Sequence, residues 1–391
     1  RLQLRNVLVI GQVAVSLVLL IGASLLVRSL ESAGMMDVGF DDDRLAVLGV
    51  DLDLHGYDEE AGKAFFERLV ERARAFPGVE SVTLVQRLPL TVDLSMTGIY
   101  IEGHQQSEDD EPYLIDVTRV ASDYFRTFGV PLVQGRDFSE ADTENAPRVA
   151  IINETMARMY WPEKDPIGQR FATEGLDGPT TEIIGVCRDY NVRTVGEEPR
   201  PFLHSPRSQR YNSFANIVAR TSGDPAALVG NLRREFLELE PDLMFIDADA
   251  MPKLIEVTLL PVRMGAVLIG LFGILGMMLA AVGLYGVITY SVARRTHELG
   301  LRMALGAETT DVIKMVIRQG MVITLLGVVT GLIGAAVVSR VLSSQLYGIS
   351  ALDPISFGLA ALLLVGVALL ANYIPARRAA LVDPVIALRY E

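Results

Sequence analysis

Four stretches of this chain carry no Asp, Glu, Lys or Arg: residues 6–27, 264–293, 319–339 and 354–376, which are 22, 30, 21 and 23 residues long. A hydrocarbon core of roughly 30 Å is crossed by about 20 helical residues rising ~1.5 Å each, so every one of these windows can span it. A single such window is compatible with a buried helix in a water-soluble protein. Four in one chain predict an α-helical membrane protein with four transmembrane helices. The first window is too long and too rich in Leu and Val for a cleaved signal peptide, and it runs into Arg28 and Ser29 without a small-residue cleavage pattern. The sequence opens on Arg1, not Met, so further chain upstream is expected.

Charge partitions as sharply as hydropathy. Residues 29–262 hold 42 acidic and 22 basic side chains, a net −20, whereas the remainder holds 6 acidic and 13 basic, a net +7. Short flanks set orientation, because long loops translocate largely regardless of charge. Arg1 and Arg5 precede the first window, Arg377, Arg378 and Arg389 follow the last, and the link between the second and third carries Arg294, Arg295, Arg302, Lys314 and Arg318. The link between the third and fourth has only Arg340. Both termini and the second link are therefore expected inside, and residues 29–262 outside. The lone cysteine, Cys187, can form no internal disulfide, and its setting in the run IIGVC points to a buried strand thiol. The outer segment must then rest on its own core, for which its size suffices.

That outer segment contains a weak internal repeat. Residues 45–54 alternate like a strand, 58–76 have helical spacing through Phe65, Phe66, Leu69 and Val70, Pro77-Gly78 stops the helix, and 79–85 read as a strand. Residues 216–221 are again strand-like, Asp224-Pro225 supplies an N-cap and first-turn proline for a helix over 226–239, and 243–246 return as a strand. Two βαβ-like halves are thus expected to pair into one α/β part. Between them, over about 91–212, lie short strands (117–120, 149–152, 182–186), many turns, and a helix over 154–160 capped by Asn153. The acidic run 108–111 reads as a solvated loop. Residues 251–260 read as a stalk entering the second span, interrupted at Pro261.

Catalytic signatures are missing. There is no GxxxxGK[ST], no strand-linked GxGxxG and no GxSxG, so the chain is not expected to bind a nucleotide or act as an enzyme itself. His55, His104, His204 and His297 are far apart, lack metal-ligand spacing, and are expected on the surface or in turns. The pairs around Asp41–Asp43 and Asp51/Asp53 lack the glycine and closing glutamate of a calcium loop. No metal or cofactor is expected. The spans also lack His and every charged residue, so they offer no evident ion path. Small residues recur instead, at Gly270, Gly273 and Gly276 and at Gly327, Gly331 and Ala335, the second set being a small-xxx-small face suited to close helix packing.

The link at 294–307, RRTHELGLRMALGA, has its own logic. Glu298 and Arg302 stand at i,i+4 in the favourable order, worth about 0.2–0.5 kcal/mol on a helix. Leu299 and Met303 share a face and form an apolar ridge in a basic setting. Gly300 costs roughly 1 kcal/mol relative to Ala in a helix, which close approach of a partner's backbone would explain. Thr309 or Thr310 is expected to cap the helix that follows.

ELGLRMALGA in this position resembles the coupling segment of the MacB/FtsX-like ABC transporter permeases. The tail PARRAALVDPVIALRYE (375–391) is similar to that family's ending, and VASDYFRTFGVPLVQGRDFSEAD (120–142) and VAIINETMARMYWPEKDPIGQRF (149–171) resemble its periplasmic core segments. The resemblance extends over the whole chain, including the order of one span, a large outer domain and three more spans. It implies a periplasmic α+β domain made of porter-like βαβ halves and an inserted mainly-β subdomain, and a separate ATPase subunit that receives the coupling segment. Glu298, Leu299, Gly300, Arg302, Ala304, Leu305, Gly306 and Ala307 match the motif, Arg294, Arg295 and His297 flank it, and Met303 belongs to the ridge described above. The opening resembles mid-protein sequence in long duplicated permeases of the family, so the chain is expected to be the C-terminal half of a longer one, paired either with a second permease half or as a homodimer.

The expected organisation is a first transmembrane helix at 6–28, a periplasmic core domain at 29–262 with the insertion at about 91–212, and a second helix at 263–293. A cytoplasmic coupling segment at 294–311, helices at 312–339 and 354–376, and a cytoplasmic tail at 377–391 complete it. The expected setting is a bacterial inner (cytoplasmic) membrane. The expected function is mechanotransmission, in which ATP hydrolysis by a partner drives the outer domain for efflux, lipoprotein or envelope-related export. Besides the ATPase, the implied partners are membrane lipid and a periplasmic adaptor or substrate protein, with no nucleic acid. A membrane-anchored ligand-sensing receptor is the alternative. It would need a cytoplasmic signalling module after its second span, where this chain has two more spans and a short tail.

Overall fold

The computed structural model of the chain describes residues 4–91, 95–102, 111–175, 177–295, 298, 301–302, 308–341 and 346–380. It divides into two compact units, Arg1–Met35 with Leu260–Glu391, and Met36–Leu259.

The first unit contains four helices long and apolar enough to cross a membrane: α1 (Leu4–Ala33), α7 (Leu260–Arg294), α8 (Thr309–Val341) and α9 (Pro354–Ala380). A helix satisfies its backbone internally, which lipid requires of any spanning segment. The α1 helix is the hub. Val9, Val13, Leu17, Ile21 and Leu25 recur every four residues along it and are all buried in the bundle core. By contrast Leu268, Leu271, Phe272, Leu275, Leu279 and Val282 of α7 point outward, the apolar exposure that suits lipid contact and would be a liability in water. The α8 helix begins at Thr309, and the Glu308 carbonyl accepts from the amides of Asp311 and Val312. Glu308 therefore stands at the cap position, and neither Thr309 nor Thr310 does; the Thr310 hydroxyl instead donates to the Glu308 carboxylate at 3.1 Å.

The second unit is an α+β domain in two parts. Strands β1 (Leu45–Asp51), β2 (Val79–Val85), β10 (Phe214–Thr221) and β11 (Phe245–Ala250) form an antiparallel sheet in the order β11-β1-β10-β2. Helices α2 (Glu59–Ala75) and α5 (Pro225–Leu239) bury Phe65, Phe66, Leu69, Leu228, Leu232 and Phe236 against Leu48, Val50, Val82 and Ile217. This is the split βαβ arrangement: each strand-helix-strand half is completed by a strand of the other. Asp58 and Asp224 cap the helices by accepting from the amides of Ala61 and Ala226.

The inserted part closes on itself. Strands β3 (Met96–Ile101), β4 (Tyr113–Val120), β6 (Val149–Asn153), β7 (Arg170–Ala172), β8 (Thr180–Cys187) and β9 (Phe202–Pro206) run in the order β4-β3-β7-β8-β6-β9, and β9 pairs back onto β4 in parallel. β5 (Leu132–Gly135) pairs antiparallel with the last residues of β8, Gly185 to Cys187. Ile99, Ile115, Ile152, Phe171, Ile183 and Leu203 fill the interior together with Met156 and Trp161, which belong to and follow α4 (Glu154–Tyr160). The strands run longer than their sequence signal, Tyr113–Val120 against 117–120 and Thr180–Cys187 against 182–186, because barrel neighbours extend pairing into polar residues. The returning strand starts at Phe245, two residues later than read, after a turn closed by Leu243 N to Glu240 O at 3.1 Å. The stalk is α6 (Met251–Thr258), and the break before α7 falls at Leu259, with Pro261 inside the first turn of α7, where a missing amide costs nothing.

Candidate coupling site

The α7 helix ends at Arg294, and the Arg295 amide closes a last turn on the Val292 carbonyl at 3.0 Å. Of the link, Arg294, Arg295, Glu298, Leu301 and Arg302 are described and all are exposed; His297, Leu299, Gly300, Met303, Ala304, Leu305, Gly306 and Ala307 lie outside the described residues. Arg302 binds the Glu298 carboxylate at 2.7 Å and reaches the Met315 sulfur at 3.4 Å, which ties the link to the start of α8. Leu301, 43% exposed, adds an apolar side chain that the motif reading passed over.

Below the link, the ends of all four spans are fastened to one another. Arg378 of α9 donates to the Tyr285 hydroxyl of α7 at 3.0 Å, and Gln319 of α8 donates to Ser291 of α7, also at 3.0 Å. Arg5 of α1 lies over the Tyr290 ring, 4.4 Å from its centre. Ile288, Val316 and Ala376 form a buried cluster, with Val292 and Ile313 against it. The four spans are thus in contact with one another at the end of the bundle where the link emerges. Sequence reasoning missed these fasteners, although tyrosines near the end of an uncharged window are a usable sign of a membrane interface.

Further along the spans, the glycine faces converge on α1. Gly270, Gly273 and Gly276 of α7 meet Ala23, Leu20 and Ser16 in descending order, as antiparallel neighbours must, while Gly327 and Gly331 of α8 meet Val13 and Ala14 in ascending order. A β-carbon at Gly327 would stand 2.6 Å from Val13 Cγ1, one at Gly331 3.0 Å from the Ala14 carbonyl oxygen, and one at Gly276 2.7 Å from Ser16 Oγ; Gly270 leaves ordinary contact at 3.6 Å. Ala335 is buried in the same core. A further small-residue contact, Gly320 of α8 against the fully buried Asn372 of α9, was not singled out from sequence.

At the opposite end of the bundle, Arg28 of α1 pairs with Asp353, which also caps α9 by accepting from the Ser356 amide at 2.7 Å. Ser29 accepts from the Tyr347 amide at 2.7 Å. These straps hold the end of α1 to the segment that enters α9.

In the outer unit the described residues contain no group of His, Cys, Asp and Glu arranged to hold a metal. The histidine expectation needs correction: His204 is fully buried on β9, inside a ring cluster with Tyr124, Phe125, Tyr190 and Phe202. Its Nδ1 lies 3.3 Å from the Ile151 carbonyl, so that nitrogen carries the proton, and Nε2 accepts from the Tyr190 hydroxyl at 2.7 Å. The Tyr190 hydroxyl in turn accepts from Tyr124 at 3.0 Å. Burial pushes the imidazole down to about 3 and the Tyr190 phenol well above its ordinary value. Such a neutral, satisfied chain is a structural device; it was invisible because the isolated residues are far apart in sequence. Cys187 is buried, and burial raises its thiol well above the ordinary range.

Comparison with known proteins finds two family models on the chain. Residues 7–234 match the model of the MacB-like periplasmic core domain, and residues 270–384 match that of the FtsX-like permease C-terminal region. Among similar proteins, the macrolide export ATP-binding/permease protein MacB 2 of Aeromonas hydrophila subsp. hydrophila is 27% identical over 288 residues, covering 70% of this chain and 43% of the relative. The pyoverdine export ATP-binding/permease protein PvdT of Pseudomonas syringae pv. syringae is 24% identical, covering 68% of this chain and 41% of the relative. The MacB protein of Vibrio parahaemolyticus is also 24% identical, with coverages of 85% and 51%. The chain thus spans about half or less of the length of these curated relatives. The crystal structure of the periplasmic region of MacB from Actinobacillus actinomycetemcomitans aligns with a TM-score of 0.38 at 15% identity, over 57% of this chain and 97% of that one.

Proposed function

This chain belongs to the MacB/FtsX-like ABC transporter permease family, and from that premise we propose that it is a non-catalytic permease that transmits motion from an ATPase to its outer domain. The observation that supports this reading best is the fastened base beneath the link: Tyr285–Arg378, Ser291–Gln319 and Arg5–Tyr290 join all four spans where the link emerges. A push on residues 294–311 has no slack to lose in that base. The glycine contacts along α1 then let neighbouring helices move as closely packed rods.

In this reading the link and both ends of the chain face the cytoplasm, the outer unit lies in the periplasm of a bacterial inner membrane, and ATP hydrolysis belongs to a nucleotide-binding domain outside these residues. The relatives carry ATP-binding and permease functions under one name, which supports such a partnership. A second permease copy or half completes the pair, and the outer unit acts on an exported cargo or on an adaptor that presents it.

The test is Glu298→Lys or Gly300→Trp in a complex with the ATPase. Co-purification and stimulated ATP hydrolysis are expected to fall together, and unchanged values for both variants would sink the docking claim.

A further inference from the structure

A cleft of about 610 Å³ opens within the outer unit, between α2 of the split βαβ part and the segments 138–145 and 206–211 of the inserted part. Its size is that of a site for a drug-sized molecule, which typically occupies ~300–1,000 Å³. Phe66, Val70, Leu84, Val120 and Ala121 give it an apolar lining. β4 touches β2 at a single pair, Val85 with Val120, before the chain turns away into α3 (Tyr124–Phe128), and the cleft lies beside this short junction.

The charges around this lining are not balanced locally. Along α2 the cleft edge reads Lys63, Glu67, Glu71, Arg74, and Glu140 faces it from the other side. Helix spacing would allow Lys63 to pair with Glu67 and Arg74 with Glu71. Neither does so. Lys63 is held by Glu59 at 2.6 Å and by Glu144 at 3.4 Å, and Arg74 by Asp123 at 3.1 Å. Glu67, Glu71 and Glu140 form no ion pair with any described residue, and the like charges of Glu67 and Glu71 stand one helical turn apart on the same face. Arg207 supplies the remaining cation of the lining; it is 8% exposed, stacks on Phe66 at 4.7 Å and donates to the carbonyls of Phe214 and Asn212, so its one positive charge is left to offset three carboxylates and the excess is negative. The cleft therefore offers an apolar surface bordered by an excess of carboxylates.

We propose that this cleft binds a small amphipathic cation, whose apolar body lies on Val70 and Ala121 while its positive group is held by Glu67, Glu71 and Glu140. The inference rests on the export reading for its purpose, as a place where the outer unit meets cargo, but binding is measured on the permease alone. Its failure is thus separable from failure of ATPase docking, which is read by co-purification.

The probe is rhodamine 6G, a lipophilic cation, titrated by fluorescence anisotropy against the full chain in phosphatidylcholine nanodiscs, with empty discs as the blank. Rhodamine B, which shares the ring system but carries a compensating carboxylate, is the charge control. Saturable binding of the cation above the blank is expected, with weaker binding of rhodamine B. Three exposed ion pairs lost together in Glu67→Gln/Glu71→Gln/Glu140→Gln weaken binding by about tenfold. The second variant, Ala121→Trp, fills the cleft and is expected to abolish binding while leaving ATPase co-purification intact. No saturable binding above empty discs, or equal binding by wild type and both variants, overturns the proposal.

Discussion

The membrane unit and the outer unit solve the same problem, polar groups away from water, in opposite ways. In the bundle, hydrogen-bonded and charged contacts gather at the two ends, at Tyr285–Arg378 and Ser291–Gln319 on one side and Arg28–Asp353 on the other, and much of the length between is close packing of glycine against α1. In the outer unit, polar side chains are carried into the core and satisfied there, as in the chain Tyr124–Tyr190–His204–Ile151. Packing without directional bonds in the middle lets rods slide or tilt, whereas a buried hydrogen-bonded network fixes one arrangement, since any shift leaves a buried donor or acceptor unpaired.

The strongest way to break this comparison is to put a side chain into the glycine faces. Gly327→Leu drives a branched side chain into Val13, and overpacking of this kind costs about 1–3 kcal/mol. Gly366→Leu, on the same bundle but with open space around it, is expected to cost nothing measurable. Thermal unfolding of both variants in detergent checks this, and equal midpoints would refute the role of Gly327.

The outer unit should respond to acid through His204. His204 keeps its neutral form in the folded protein down to about 3, against 6.5 for an ordinary imidazole. Its contribution is therefore complete above pH 6.5 and is lost as pH falls from 6.5 toward 3, because only the unfolded chain takes up the proton. At pH 5 the loss is about 2 kcal/mol. Denaturant unfolding of the outer unit, followed through Trp161, should show this slope in wild type and lack it in His204→Leu.

The smallest effect is expected at the strap. Asp353→Ala removes an N-cap and the partner of Arg28, for a loss of about 1 kcal/mol. Asp353→Asn retains a capping oxygen and should recover most of it. Loss of stability in Asp353→Asn equal to that in Asp353→Ala would mean that the ion pair, not the cap, carries the effect.

How much could be read in advance depended on the range of each interaction. Asp58, Asn153 and Asp224 announce their helices because a cap and the amide it serves are two or three residues apart. Glu298 and Arg302 are equally local, one turn apart. Both βαβ halves were legible for the same reason, with helix and strand periods separated by Pro and Gly. The barrel closure of β9 onto β4 was not, nor was the Arg28–Asp353 strap, whose partners are 325 residues apart. His204 was misplaced because a lone histidine carries no mark of the rings that will surround it.

By itself the sequence determined that this is a membrane protein of four spans with an acidic outer domain, because the cost of placing charge in hydrocarbon depends on composition within one window and needs no knowledge of neighbours. It also determined the family, through short ordered strings. Tertiary structure alone decided that both glycine faces meet α1, that the inserted strands close into a ring, that four span ends are fastened beneath the link, and that a cleft bordered by Glu67, Glu71 and Glu140 is left open. Each of these depends on which distant segments come together, and side-chain chemistry at a single position does not specify its partner.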